Sequence, residues 1–197
     1  MVIFSISVFF LLITPGPGVL SLAGVGAAFG MRSGFFYLIG LWCGTNLVSI
    51  FVFSGFAALI FSIPDLRLVF SILSLLYLCY LGVKIGLSGK QIAFIKSKNP
   101  PGVVDGIALQ LINPKAYAVN VALFSSFAFF PENILLETIV KLLLINIIWC
   151  PIHLFWLFLG SFVKKLNLPD YIQHRVNLTM ATSMFVVVVL AIMMSGG

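Results

Sequence analysis

Long apolar runs alternate with short polar punctuation along the chain, and the runs are too long for a water-soluble fold. No Asp, Glu, Lys or Arg occurs between Met1 and Arg32, and none between Arg32 and Asp65. Each stretch exceeds the roughly 20 residues that a helix needs to cross the hydrocarbon core of a bilayer. The alternation of a membrane-barrel strand is absent. The pattern predicts an all-α membrane protein with six transmembrane helices, at about residues 2–29, 35–62, 66–88, 103–130, 134–163 and 177–195. Met1-Val2-Ile3-Phe4 lacks the basic n-region of a signal peptide, so the first run reads as a span. No polar run is long enough for a soluble domain, and residues 1–197 read as one transmembrane unit.

Two halves are visible within it. The first three spans, about residues 1–88, are followed by a basic, turn-rich linker at about 89–102 that ends in Asn99-Pro100-Pro101-Gly102. The last three spans fill about 103–197. With an odd number of spans per half, the second half enters the membrane in the opposite sense, giving two inverted three-helix repeats. The first helix of each half is interrupted by polar and helix-breaking residues. The first span breaks at Thr14-Pro15-Gly16-Pro17-Gly18, and the fourth at Asn113-Pro114-Lys115. Breaks at matched places in two halves point to a transport site. A weaker echo is Trp42-Cys43 in span two and Trp149-Cys150 in span five.

Composition narrows the class. The chain is 61% hydrophobic and 8% charged, against about 25% charged in a soluble domain. Its net charge of +6 is topological rather than a sign of nucleic-acid binding. With the N-terminus outside, the inner loops hold Arg32, Lys84, Lys90, Lys96, Lys98, Lys164, Lys165 and Arg175, and the outer loops hold only Arg67 and Lys141. Lysine and arginine concentrate on the cytoplasmic side, so both termini are expected outside. Cys43, Cys79 and Cys150 form no C-x-x-C pair, and neither a disulfide framework nor a metal site is expected.

The chemistry sits at the two breaks. Proline lacks an N–H and suits the first position of a helix. Thr14 before Pro15 and Asn113 before Pro114 each read as an N-cap followed by that position. Two half-helices would then start near mid-membrane, their free N–H groups and positive dipole ends facing one cavity. A carboxylate suits such a place. A pair of proline kinks that only shape the helices would leave a similar signature, but two matched breaks, one carrying a lysine, favour a site. Lys115 lies on the order of 20 Å along the axis from Gly102 if helical, a depth that costs roughly 2.5–3.5 kcal/mol. The candidate substrate-binding set is Thr14, Pro15, Gly16, Pro17, Gly18, Gln110, Asn113, Pro114 and Lys115. Asn46, Asn120, Asn146 and His153 either line a pathway or join helices by hydrogen bonds. Gly26, Gly30, Gly34, Gly40 and Gly44 have the spacing that lets helices approach closely, here expected around the first hairpin. The ionisable groups read as lying well inside spans are Lys115 and His153, with all five acids at span ends or loops. Zwitterionic or anionic substrates are therefore expected, not strongly cationic ones. No nucleotide-binding motif, paired carboxylates or Ser/Lys dyad is present, so no enzyme and no cofactor is expected.

These motifs give a resemblance. The sequence resembles the lysine exporter / homoserine–threonine resistance (LysE/RhtB) family over nearly its whole length. The first-span T-P-G-P-N-like motif reads Thr14-Pro15-Gly16-Pro17-Gly18, followed by the glycines Gly30, Gly34, Gly40 and Gly44. The third-span phrase reads Tyr77-Leu78-Cys79-Tyr80-Leu81-Gly82, and the fourth opens with Gly106 through Gln110-Leu111-Ile112-Asn113-Pro114-Lys115-Ala116. The resemblance implies a multi-pass exporter of amino acids in the bacterial inner membrane, driven by an ion or proton gradient, with its two halves rocking around a central site. Homodimerisation is left open. Gly18 replaces the family's Asn, and Thr45 stands where an acidic residue is common, which adds Thr45 to the pathway residues. A redox carrier of the wider superfamily would need a cysteine in each of spans one and four, and this chain has neither. A divergent member with a structural or regulatory role is the alternative.

Overall fold

The computed structural model describes residues 1–14, 16–55, 100–125 and 127–165, with isolated positions between 69 and 83 and between 169 and 182. The expected third and sixth spans, the linker and Pro15 lie largely outside the described residues. Among those described there is no strand, and the helices are α1 (Val2–Ile13), α2 (Pro17–Phe29), α3 (Met31–Phe53), α4 (Val103–Ile112), α5 (Pro114–Ser125) and α6 (Ile134–Lys165). By length and composition α3 and α6 can each cross a membrane, and α1 with α2 passes the same test as a pair bent by 52°, the form of a broken span or a re-entrant loop. The 12 residues of α1 rise about 18 Å, roughly half of a bilayer core. The chain therefore folds as an α-helical membrane protein. Large apolar side chains such as Ile3, Phe10, Phe36, Ile147, Phe155 and Phe158 point outward, as lipid requires.

Glycine decides which helices touch most closely. α2 packs along α6, and α3 packs along α4. A Cβ built on Gly106 would lie 2.5 Å from the Tyr37 carbonyl oxygen and 2.6 Å from the Leu41 nitrogen. One built on Gly160 would collide with the Ala23 backbone, and one on Gly26 would stand 3.0 Å from the Leu157 carbonyl oxygen. Gly40 abuts the backbone of Val103, and Gly44 that of Ile107. The glycine stripe therefore does not serve the first hairpin, as its spacing suggested. It seats helices from the other half of the chain. Only Gly30 belongs to that hairpin: at φ 89° it makes the turn from α2 into α3.

Two apolar clusters fill the bundle. Leu22, Tyr37, Leu41, Leu109, Trp149 and Leu157 join α2, α3, α4 and α6. Phe4, Val8, Val119, Leu123 and Ile145 join α1, α5 and α6. Phe4 meets Phe127 and Phe129 edge-on, at ring separations of 5.3 and 5.2 Å. The connection from α5 to α6 is tied down by an ion pair. Lys141 is not a loop charge, as its sequence position suggested. It lies in α6 and is 1% exposed. Its Nζ meets Glu137 Oε1 at 2.7 Å and donates to the carbonyl oxygens of Phe124, at 3.0 Å, and of Phe127. Glu137 Oε2 accepts the N–H groups of Phe129 and Phe130, each at 2.8 Å.

Candidate functional site

The first span is interrupted where one helix stops before Thr14 and the next begins at Pro17. Thr14 ends α1 with φ −58° and ψ 124°, which carries the chain out of the helical path. Its hydroxyl donates back to the Phe10 carbonyl at 2.6 Å. Gly16 is extended and precedes α2, whose first residue is Pro17. The helix thus restarts at Pro17, not at Pro15, and Thr14 closes one helix instead of capping the next. The prolyl nitrogen at the restart has no proton to leave unsatisfied.

The second break follows the expected pattern. Asn113 ends α4 with φ −80° and ψ 106°. Its Oδ1 accepts the Lys115 N–H at 3.1 Å, and its carbonyl accepts the Ala116 N–H at 3.0 Å. That is an asparagine N-cap with Pro114 as the first residue of α5.

The two breaks touch. Lys115 Nζ donates to the Thr14 carbonyl oxygen at 2.6 Å. A Cβ on Gly16 would stand only 2.7 Å from Lys115 Cδ, so the lysine stem runs through the space that glycine leaves. From Asn113 a chain of hydrogen bonds runs to α3. Asn113 Nδ2 donates to Gln110 Oε1 at 2.9 Å, and Gln110 Nε2 donates to Thr45 Oγ1. Asn113, Gln110 and Thr45 are all buried. Each amide and hydroxyl in this chain has a partner, which a membrane interior demands.

A small pocket of about 50 Å3 lies against the breaks and is lined by Thr14, Gly16, Gly18, Thr45, Gln110, Asn113, Lys115 and His153. His153 enters from α6, with its ring stacked on Trp149 at 3.6 Å. His153 Nδ1 lies 2.9 Å from the Trp149 carbonyl oxygen. A carbonyl cannot donate, so Nδ1 carries the proton and Nε2 is left towards the pocket. A Cβ on Gly18 would stand 3.9 Å from His153 Nε2 and 3.8 Å from Gln110 Oε1. A side chain at position 18 would project between those groups, so glycine there widens the pocket. Among the described residues that line it there is no carboxylate.

The structure separates the two roles that the sequence left open for the polar residues. Asn46 does not line the pocket. It forms a reciprocal amide pair with Asn146, at 3.0 and 3.1 Å, and Trp42 Nε1 donates to the same Asn146 Oδ1 at 2.6 Å. These residues join α3 to α6. Asn120 does line the pocket, and Ser49 Oγ donates to its Oδ1 at 2.6 Å. Its signal was spacing: Asn120 lies seven residues after Asn113, two turns along one helix face. Leu11, Leu12, Val19, Ala116 and Val119 supply an apolar wall. The Trp echo has a structural counterpart. Asn46 donates to the Trp42 carbonyl and His153 to the Trp149 carbonyl, each at 2.9 Å and one turn back.

Comparison with known proteins bears on this geometry. The profile of the LysE type translocators matches residues 9–196. A leucine efflux protein of Enterobacter sp. (strain 638) is 30% identical over 127 residues, which is 62% of this chain and 60% of that protein. A leucine efflux protein of Klebsiella pneumoniae subsp. pneumoniae is 29% identical over 123 residues, 60% of this chain and 58% of that protein. The matched stretch thus spans about three fifths of the length of these curated relatives. No solved structure matches the chain.

Proposed function

The chain belongs to the LysE type translocators, a family of transporters and not of enzymes, and from that premise we propose that it exports a neutral, apolar amino acid such as leucine. The observation that carries this reading is the meeting of the two helix breaks at Lys115 and the Thr14 carbonyl. A broken helix offers a zwitterion both of its ends. The C-terminal end of α1 is partially negative and suits an ammonium; the N-terminal ends of α2 and α5 are partially positive and suit a carboxylate. The apolar wall of Leu11, Leu12, Ala116 and Val119 suits an uncharged side chain. A cationic side chain would share the cavity with Lys115, with no carboxylate among the described lining residues to pair it, at a cost of several kcal/mol. Export against a gradient needs a driving ion, and we take His153, whose imidazole lines the cavity, as the group that would exchange a proton in the transport cycle.

Inside-out vesicles test this directly. They should accumulate labelled leucine when energised and stop when a protonophore is added. Lysine or arginine uptake at the rate of leucine would overturn the substrate assignment. Leucine uptake that is indifferent to the protonophore would overturn proton coupling.

We place the turn at Gly30 and the start of α4 on the cytoplasmic side, and residues 127–133 outside. The asymmetry of Lys and Arg in the sequence supports this, and it grows once the buried Lys141 is removed from the outer loops. A cysteine introduced at Glu132 should react with an impermeant maleimide in intact spheroplasts, and one at Met31 should react only after lysis. The reverse pattern would invert the orientation and the direction of transport with it.

A further inference from the structure

Lys115 holds a position that a bound amino acid would need. The Thr14 carbonyl lies at the C-terminal end of α1, where the ladder stops and the helix end is partially negative. In an unbroken helix this oxygen would accept the N–H of residue 18. Gly18 instead lies in the first turn of α2. The oxygen takes the Lys115 ammonium, at 2.6 Å. The lysine stem occupies the space beside Gly16. A cation is thus seated where the unwound backbone is best able to hold one, and the described residues around the cavity offer no carboxylate as an alternative seat.

We infer that Lys115 is a resident stand-in for the ammonium of the substrate, and that an amino acid binds by exchange: its ammonium takes the Thr14 carbonyl while its carboxylate takes the displaced Lys115. This rests on reading the cavity as the amino-acid site. Exchange demands both groups on one ligand. An amine without a carboxylate would place a second cation in the cavity with no anion to balance it. A carboxylate without an ammonium would draw Lys115 away and leave the Thr14 oxygen unpaired. Each half-ligand therefore binds the wild type poorly, for opposite reasons.

Removing the lysine separates those reasons. The seat falls vacant and the repulsion vanishes. Calorimetric titration of the purified full chain in nanodiscs would use leucine, 3-methylbutylamine (leucine without its carboxylate) and 4-methylpentanoate (leucine without its ammonium). In Lys115→Met the amine should bind at least about tenfold tighter than in the wild type, while leucine binds at least about tenfold more weakly. Lys115→Gln should behave as Lys115→Met does, which guards against a single misfolded variant. Lys115→Arg keeps the charge and should stay poor for the amine. Leucine binding by the wild type with no gain for the amine in either neutral variant would overturn the exchange alone, and make Lys115 a structural tie between the breaks. A wild type that binds no leucine would overturn the amino-acid reading and the exchange with it.

Discussion

Lys115→Met should remain folded in the membrane and lose at least about 30-fold in leucine export. Truncating one partner of a fully buried, hydrogen-bonded charge costs about 2–5 kcal/mol; Lys115 is half-buried, so the lower figure applies, and it corresponds to roughly 30-fold. The charge is lost in the resting contact with Thr14 and in the contact with substrate carboxylate that we propose. Methionine keeps an unbranched stem of similar length beside Gly16, so packing there changes little. Asn113 still caps α5 through the backbone N–H of residue 115, which the substitution leaves in place. Export from inside-out vesicles, normalised to the amount of protein in the membrane, measures the effect. Export close to the wild-type rate would remove Lys115 from the transport site.

The second large effect is on stability, at the other end of the bundle. Lys141→Met and Glu137→Gln should each destabilise the protein, because each leaves the other partner of the pair uncompensated. The double variant should recover much of that loss. A glutamine at 137 still offers its amide oxygen to the N–H groups of Phe129 and Phe130, and a methionine at 141 needs no partner. Unfolding by SDS in mixed micelles would rank the three. A double variant weaker than both singles would mean that the pair contributes net stability instead of merely requiring completion. Export should survive in the double variant, since neither residue lines the cavity.

The sequence made the two breaks legible because proline and glycine mark the loss of a helical ladder wherever they fall. It did not settle where the first helix restarts. Pro15 and Pro17 both suit a first helical position, and only the folded chain selects Pro17. At the second break there is a single proline, and Asn113 was readable as its cap. Thr45 and Asn46 show a different limit. Neighbours on a helix point about 100° apart, so one faces Gln110 and the other faces Asn146. Nothing in a local polar pattern says which face meets the cavity. Lys141 was misread for a related reason. The Glu137–Lys141 spacing is that of a helical ion pair, but the carbonyls of Phe124 and Phe127 that complete its shell arrive from α5 and the connection after it. The glycine stripe signalled close packing, while its partners on α4 and α6 were set by tertiary structure.

Where backbone rests on backbone at glycine, two helices cannot slide or tilt apart by degrees, because no flexible side chain lies between them to take up the change. Gly160 seats α6 on α2 in this way, and Gly106 seats α4 on α3. Each of these couples takes one helix from either half of the chain, so a rocking of the halves as separate blocks would have to part these backbone contacts. A motion that spared them would turn at Thr14, Gly16 and Asn113, where the helices are interrupted, and would carry the half-helices α1 and α5 against a frame of α2, α3, α4 and α6.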